Sequence, residues 1–112
     1  MTELLFSYGT LRQRDVQLAT FSRELDGEPD VLPGYRLGTL TISDPDVLAV
    51  SGSAAHPIVT PTGDPDDGVP GTVFRLTPAE LDAADGYEVH DYARVQVRLR
   101  SGRDAWAYVR AR

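Results

Sequence analysis

A strict alternation of side chains near the C-terminus constrains the fold more than any other feature. Apolar residues stand at every second position from Ala93 to Leu99, with Arg or Gln between them. This period of two is typical of a β-strand with one buried face, and it predicts a basic, solvated opposite face. Ser101-Gly102 then forms a tight turn into a second apolar run, Ala105 to Val109. The sequence therefore predicts a C-terminal β-hairpin.

A short helix is predicted immediately after an apolar strand that runs from Val69 to Leu76. Thr77-Pro78-Ala79-Glu80 has the pattern of a capping box, in which Thr77 and Glu80 satisfy each other's backbone N–H groups. Its proline occupies the first helical position, where the missing N–H costs nothing. Gly86 is the expected C-terminal stop.

The N-terminal part begins with an apolar strand at residues 3–7 and continues into a helical pattern from Asp15 to Leu25. Leu18, Phe21 and Leu25 have the spacing of one helix face, so we expect them to be buried together. Gly27-Glu28-Pro29 is expected to end this helix.

The middle of the chain gives weaker signals. Pro33-Gly34 precedes a predicted strand from Tyr35 to Ile42. From Ser43 to Gly68 the sequence is rich in Asp, Pro, Gly and Ser, which favours an irregular loop with at most one short strand.

These elements do not alternate in the way that a doubly wound parallel sheet requires. They predict a small α+β domain with a curled, mostly antiparallel β-sheet or barrel and two or so short helices. The 112 residues suffice for a single core, so we expect one domain over residues 1–112. A chain of this size can act as a monomer or pair as a homodimer through an edge strand.

Composition excludes several kinds of function. The chain has no cysteine, and all 11 of its basic residues are arginine, so thiolate, disulfide and Schiff-base chemistry are absent. A net charge of −6 opposes binding to nucleic acid. No apolar run approaches the ~20 residues of a membrane-spanning helix. With no secretory signal at Met1, the expected location is cytoplasmic.

Two separate segments point to a binding or catalytic site. The first is Phe6-Ser7-Tyr8-Gly9-Thr10-Leu11, where a Gly-Thr pair ends the first strand. Exposed backbone N–H groups at such a turn can hold an anion, although most glycines that end a strand serve only as turns. The second is Ala84-Asp85-Gly86-Tyr87-Glu88, followed by Tyr92-Ala93-Arg94.

Together with Gly71-Thr72-Val73-Phe74-Arg75-Leu76 these segments occur in the order seen in one family. The chain resembles the γ-glutamylcyclotransferase-like, or AIG2-like, family from Leu4 to Val109. The resemblance implies a small barrel-like α+β domain that converts a small-molecule γ-glutamyl amine or peptide into 5-oxoproline and the free amine.

The reaction that the resemblance implies needs a base but no protein nucleophile. The substrate's own α-amine attacks its own γ-carbonyl, so the reacting groups are already joined. The α-ammonium must first lose a proton, and a partly desolvated carboxylate is suited to accept it. Glu88 matches the family's Asp-x-aromatic-Glu pattern and is the predicted catalytic residue. A shifted register would instead place Asp85 in that role.

The predicted substrate-binding residues are Tyr8, Gly9, Thr10 and Leu11, whose turn would hold the α-carboxylate or the developing oxyanion, and Tyr92. Arg94 is expected to pair with an acidic residue such as Asp85 or to join the solvated face. No metal and no organic cofactor are expected. The alternative function is a non-catalytic small-molecule-binding or interaction domain with the same fold.

Overall fold

The computed structural model describes residues 2–41, 55–87 and 92–111. Two α-helices and seven strands occur within these ranges, together with a short 3-10 helix at Thr10–Arg12. In chain order they are β1 Glu3–Ser7, α1 Arg14–Phe21, β2 Asp26–Pro33, β3 Tyr35–Thr41, β4 Ala55–Pro61, β5 Gly68–Leu76, α2 Pro78–Tyr87, β6 Tyr92–Arg98 and β7 Asp104–Arg110.

Five strands form the main sheet in the order β2-β5-β1-β7-β6, and β3 pairs with β4 in a separate two-stranded ribbon. The pair β1–β7 is parallel and every other described pair is antiparallel. The backbone N–H of Arg100 donates to the carbonyl of Val31, which joins the β6–β7 hairpin to the opposite edge strand β2. The predicted α+β fold with a curled, mostly antiparallel sheet and the predicted C-terminal hairpin are thus confirmed.

The core consists of two apolar clusters, because alternate residues of β1 point to opposite faces of the sheet. Leu5 belongs to the cluster that also contains residues from both helices, including Phe21 and Leu81. Phe6 belongs to the other cluster, which contains Val59 of the two-stranded ribbon. Both side chains of this adjacent pair are 1% exposed, so β1 is buried on both faces.

Strand β2 corrects the expectation that Gly27-Glu28-Pro29 is a helix stop. These residues lie inside the strand and pair with β5. Because β2 is the edge strand, Pro29 can be accommodated where it would interrupt a central strand. A Cβ at Gly27 would lie 2.6 Å from Phe74 Cδ1, so glycine is needed here for close packing.

Helix α1 is shorter than predicted and its buried face differs. It ends at Phe21, and Ser22 takes a left-handed conformation with φ 60°. The buried helical residues are Val16, Gln17 and Phe21, whereas Leu18 is 42% exposed. Leu25 is buried but lies beyond the helix.

Helix α2 begins as predicted but extends beyond its expected end. Glu80 N–H donates to Thr77 Oγ1 at 3.1 Å, and Thr77 N–H donates to Glu80 Oε1 at 2.8 Å. Gly86 is helical rather than the stop, because the helix continues to Tyr87.

The predicted loop over residues 43–68 contains β4, which is a well-packed strand. Ile58 and Val59 in it are both 0% exposed. Residues 42–54 lie outside the described part of the chain. Ile42, the last residue of the predicted strand, is one of them. No helix among the described residues has the length and apolarity to cross a membrane.

Candidate functional site

A small pocket lies where strand β1 ends and the 3-10 helix begins. Its walls come from the carboxyl ends of β1 and β7, the start of β6, the turn after β1 and the ribbon strand β4. The lining residues are Phe6, Ser7, Tyr8, Gly9, Thr10, Pro57, Tyr92 and Tyr108. About 30 Å³ is available inside it, which is room for a group the size of a carboxylate or two water molecules.

The floor of the pocket is the turn at Gly9 and Thr10. The N–H of Gly9 donates to Ser7 Oγ at 3.3 Å, which holds the turn against the end of β1. The N–H groups of Thr10 and Leu11 are at the start of a helix, where no helical carbonyl is available to accept them. Neither amide forms a hydrogen bond with another of the described residues. The turn therefore presents donors suited to an anionic oxygen.

Tyrosine hydroxyls hold the walls of the pocket together. Tyr8 Oη donates to the carbonyl of Tyr108 at 2.6 Å, and Tyr92 Oη donates to the carbonyl of Pro57 at 2.7 Å. Thr10 Oγ1 and Tyr87 Oη are 2.6 Å apart, so the turn is tied to the last residue of α2. These bonds join the turn after β1 to β7 and α2, and join β6 to β4, so five parts of the chain that are distant in sequence are held around one pocket.

A carboxylate network lies beside the pocket. Asp85 Oδ1 accepts hydrogen bonds from Arg94 Nε at 2.8 Å and from Tyr108 Oη at 2.6 Å. Asp85 Oδ2 accepts from Arg94 Nη2 at 3.0 Å. The Arg94 guanidinium also lies 4.4 Å from the centre of the Trp106 ring, a cation–π contact. Arg94 thus pairs with Asp85, as one of its two predicted roles required, and links α2 to β6.

A shallower groove adjoins the pocket. It shares Tyr8, Gly9, Thr10 and Pro57 with the pocket and is completed by Arg12, Gln13 and Thr72. Its volume is about 510 Å³, so a ligand with one end in the pocket would have most of its bulk in the groove.

Four of the predicted site residues, Tyr8, Gly9, Thr10 and Tyr92, line the pocket. The side chain of Leu11 instead packs in the core and is 2% exposed, which leaves its backbone as the part available to the turn. Glu88 lies outside the described residues.

Sequence reasoning did not assign four of the residues that line the pocket: Phe6, Ser7, Pro57 and Tyr108. Ser7 directly precedes the predicted turn, and this position could have indicated that it belongs to the site. The side chain of Tyr108 packs in the core and also lines the pocket. Nothing in the local sequence indicates that Pro57 reaches this place.

A mixed sheet with two helices and a pocket at the turn after the first strand defines a class of small α+β proteins. The chain belongs to the family described as gamma-glutamyl cyclotransferase, AIG2-like, whose model matches residues 5–112. The predicted family is therefore confirmed. No curated protein sequence matches the chain.

Solved structures share the fold. A protein from Arabidopsis thaliana, solved in solution, has a TM-score of 0.75 at 22% identity, and the match covers 98% of this chain and 69% of that one. A structure named gamma-glutamyl cyclotransferase has a TM-score of 0.74 at 15% identity, with 99% and 68% covered. A second Arabidopsis thaliana protein has a TM-score of 0.70 at 24% identity, with 98% and 62% covered. The chain thus spans roughly two thirds of the length of these similar proteins.

Proposed function

We propose that the chain is a γ-glutamyl cyclotransferase that releases 5-oxoproline and a free amine from a γ-glutamyl amine or peptide. The observation that carries this proposal is the pocket that the turn at Gly9 and Thr10 lines in a member of this family. In the reaction the α-amine nitrogen forms a bond to the γ-carbonyl carbon, and the bond from that carbon to the leaving nitrogen breaks. The α-nitrogen loses two protons, one before it attacks and one as it becomes the lactam nitrogen, and both are delivered to the leaving amine, which departs as an ammonium.

The turn after β1 would hold an anionic part of the γ-glutamyl group. Both the α-carboxylate and the oxyanion that develops on the γ-carbonyl accept hydrogen bonds from backbone N–H groups. A space the size of a carboxylate agrees with this role. One donor aimed at an oxyanion contributes about 2.7 to 4 kcal/mol to transition-state stabilisation.

Glu88 would move the proton. The described residues on either side of it support this role because both contact the site. Tyr87 Oη is 2.6 Å from Thr10 Oγ1, and Tyr92 lines the pocket. A glutamate between these two residues is well placed in the sequence to serve the pocket as a base.

Asp85 is less suited to be the base, because its oxygens already accept three hydrogen bonds from Arg94 and Tyr108. A base needs a lone pair directed at the substrate's proton. We propose instead that Asp85 holds the end of α2 against β6 and β7.

The test is the release of 5-oxoproline from a panel of γ-glutamyl amines and dipeptides. We expect Glu88→Gln to lower kcat by roughly 100-fold or more, the size of effect typical of a lost general base. Asp85→Asn should retain measurable turnover. Asp82→Asn is the matched control, because Asp82 is an exposed carboxylate on the same helix.

Each result has a distinct meaning. Turnover that survives Glu88→Gln but is lost in Asp85→Asn would transfer the catalytic role to Asp85. Binding of γ-glutamyl compounds without release of 5-oxoproline from any of them would identify a non-catalytic binding domain instead.

A further inference from the structure

One arginine at the edge of the site lacks the carboxylate partner that most arginines of this chain have. Seven arginines in the described ranges form ion pairs with Asp or Glu: Arg14, Arg23, Arg36, Arg75, Arg94, Arg98 and Arg103. Carboxylates are abundant in this chain, which has 17 acidic and 11 basic residues. Arg12 nevertheless forms no ion pair within the described part of the chain, although it lines the groove.

Arg12 is also held in place. Its Nε donates to the carbonyl of Gly9 at 3.2 Å and its Nη2 donates to the carbonyl of Tyr8 at 2.9 Å. These two bonds fix the guanidinium beside the turn that forms the pocket floor. A guanidinium has five N–H donors, so three remain without an acceptor among the described residues. Two of these donors are on Nη1 and one is on Nη2. Two Nη atoms that each have a donor can bind a carboxylate in a bidentate manner.

We infer that Arg12 is a specificity-determining residue that binds an anionic group on the leaving amine. This inference rests on the proposed function, in which the pocket takes the γ-glutamyl end of the substrate. The groove shares four lining residues with that pocket, so the other half of the substrate extends past Arg12. The preferred leaving amine then carries a carboxylate, and an uncharged amine of the same shape is a poorer substrate.

The experiment compares two substrates that differ only in this charge. γ-Glutamylglycine has a carboxylate on its leaving amine, whereas γ-glutamylglycinamide has a neutral carboxamide of nearly the same size. For the wild type we expect kcat/KM to be about tenfold higher for the acid, since a charge-assisted hydrogen bond at an open site is of that strength. Because the groove is open, this preference should decrease as salt is added.

Arg12→Gln should remove the preference by lowering kcat/KM for the acid about tenfold while changing the amide less than about twofold. Arg12→Lys keeps the charge without the planar fork and should give an intermediate preference. Arg98→Gln is the control, because it causes the same change in net charge outside the site. Arg98 is the last residue of β6, whereas Tyr92, which lines the pocket, is the first. A purely structural role of Arg12 in the turn would affect both substrates equally, and that result would overturn the inference. So would a wild type without preference for the acid.

The inference can fail independently of the proposed function. If the wild type releases no 5-oxoproline from either compound, the proposed cyclisation fails, and the same comparison is made on their dissociation constants by calorimetry. Tighter binding of the acid that is lost in Arg12→Gln supports the role of Arg12. Equal affinities for the two compounds, or no binding of either, would overturn it.

Discussion

Gly71 lies where β5 passes the end of β1, and the two backbones are too close there for any side chain. A Cβ at this position would be 2.4 Å from the carbonyl oxygen of Ser7 and 2.6 Å from Phe6 Cζ. Both neighbours line the pocket, and one of them is a backbone atom that cannot rotate away. The glycine therefore fixes the distance between β5 and the strand that leads into the site.

We expect Gly71→Ala to lower the free energy of unfolding by about 3 kcal/mol, the upper end of the cost of overpacking a core. Urea denaturation measures this change. The same variant should also weaken binding of γ-glutamyl compounds, because Ser7 must move to relieve the contact.

Gly86→Ala is the matched control. A Cβ at Gly86 would meet no atom within 4 Å, and the residue is helical. Alanine should therefore raise the free energy of unfolding by up to about 1 kcal/mol. Equal stabilities of the two variants would contradict the steric role of Gly71.

At the scale of single residues, a site residue can be predicted from the sequence only where it belongs to a local motif. Tyr8, Gly9, Thr10 and Tyr92 were predicted for the site because they belong to recognisable motifs, and they line the pocket. Pro57 could not be predicted, since it reaches the pocket through the pairing of β3 with β4 and not through any local pattern.

At the scale of elements, the start of α2 could be predicted from the sequence because it depends on residues three positions apart. The capping box at Thr77 and Glu80 forms as the sequence indicated. Strand β2 was missed because its ability to form depends on β5. Its Gly, Pro and Asp residues disfavour a strand locally, and only the edge position and the packing on Phe74 make them suitable.

The stability that Glu80 gives to the start of α2 depends on pH. Hydrogen bonds from Arg23 lower the pKa of Glu80 to about 2, against burial, which raises it. A carboxyl whose pKa is lower in the folded state stabilises the protein above its ordinary pKa of 4.5 and loses this contribution as the pH falls toward 2.

We predict that Glu80→Gln lowers the free energy of unfolding at pH 7, and that the difference from wild type shrinks between pH 4.5 and about 2. Glutamine can still accept the hydrogen bond from the Thr77 amide, so the variant isolates the charge. Thr77→Ala removes the cap itself and should cost about 1 kcal/mol. Denaturant unfolding at several pH values measures both effects. A Glu80→Gln difference that stays constant down to pH 2 would contradict the assigned cause.

At the scale of the whole molecule, contacts between β2 and the β6–β7 hairpin join the two edges of the five-stranded sheet. Asp30 on β2 is 9% exposed and binds the hairpin turn between β6 and β7. Its Oδ2 accepts from Ser101 Oγ at 2.6 Å, and its Oδ1 accepts from the Ser101 amide at 3.3 Å. Arg103 and Glu28 form an ion pair across the same junction. The sheet is thereby closed by side chains as well as by the Arg100–Val31 backbone bond.

The charge on Asp30 is stabilised by this junction. Burial raises the pKa of Asp30, but the hydrogen bonds from the Ser101 hydroxyl and from the Val31 and Ser101 amides outweigh it, so the pKa is lowered overall. The junction should therefore contribute fully above the ordinary pKa of 3.8 and weaken as the pH falls below that value.

We expect Asp30→Asn to lower the free energy of unfolding by about 1.5 to 3 kcal/mol at pH 7, since hydrogen bonds to a buried charge are lost. The effect should also be local. Hydrogen exchange at the Arg100 amide, which spans the junction, should accelerate more than exchange at amides of the central strand β1. Asp82→Asn, which changes an exposed carboxylate on α2, should alter neither quantity. If Asp30→Asn leaves exchange at Arg100 unchanged, the backbone bond alone closes the sheet and the carboxylate is not needed for it.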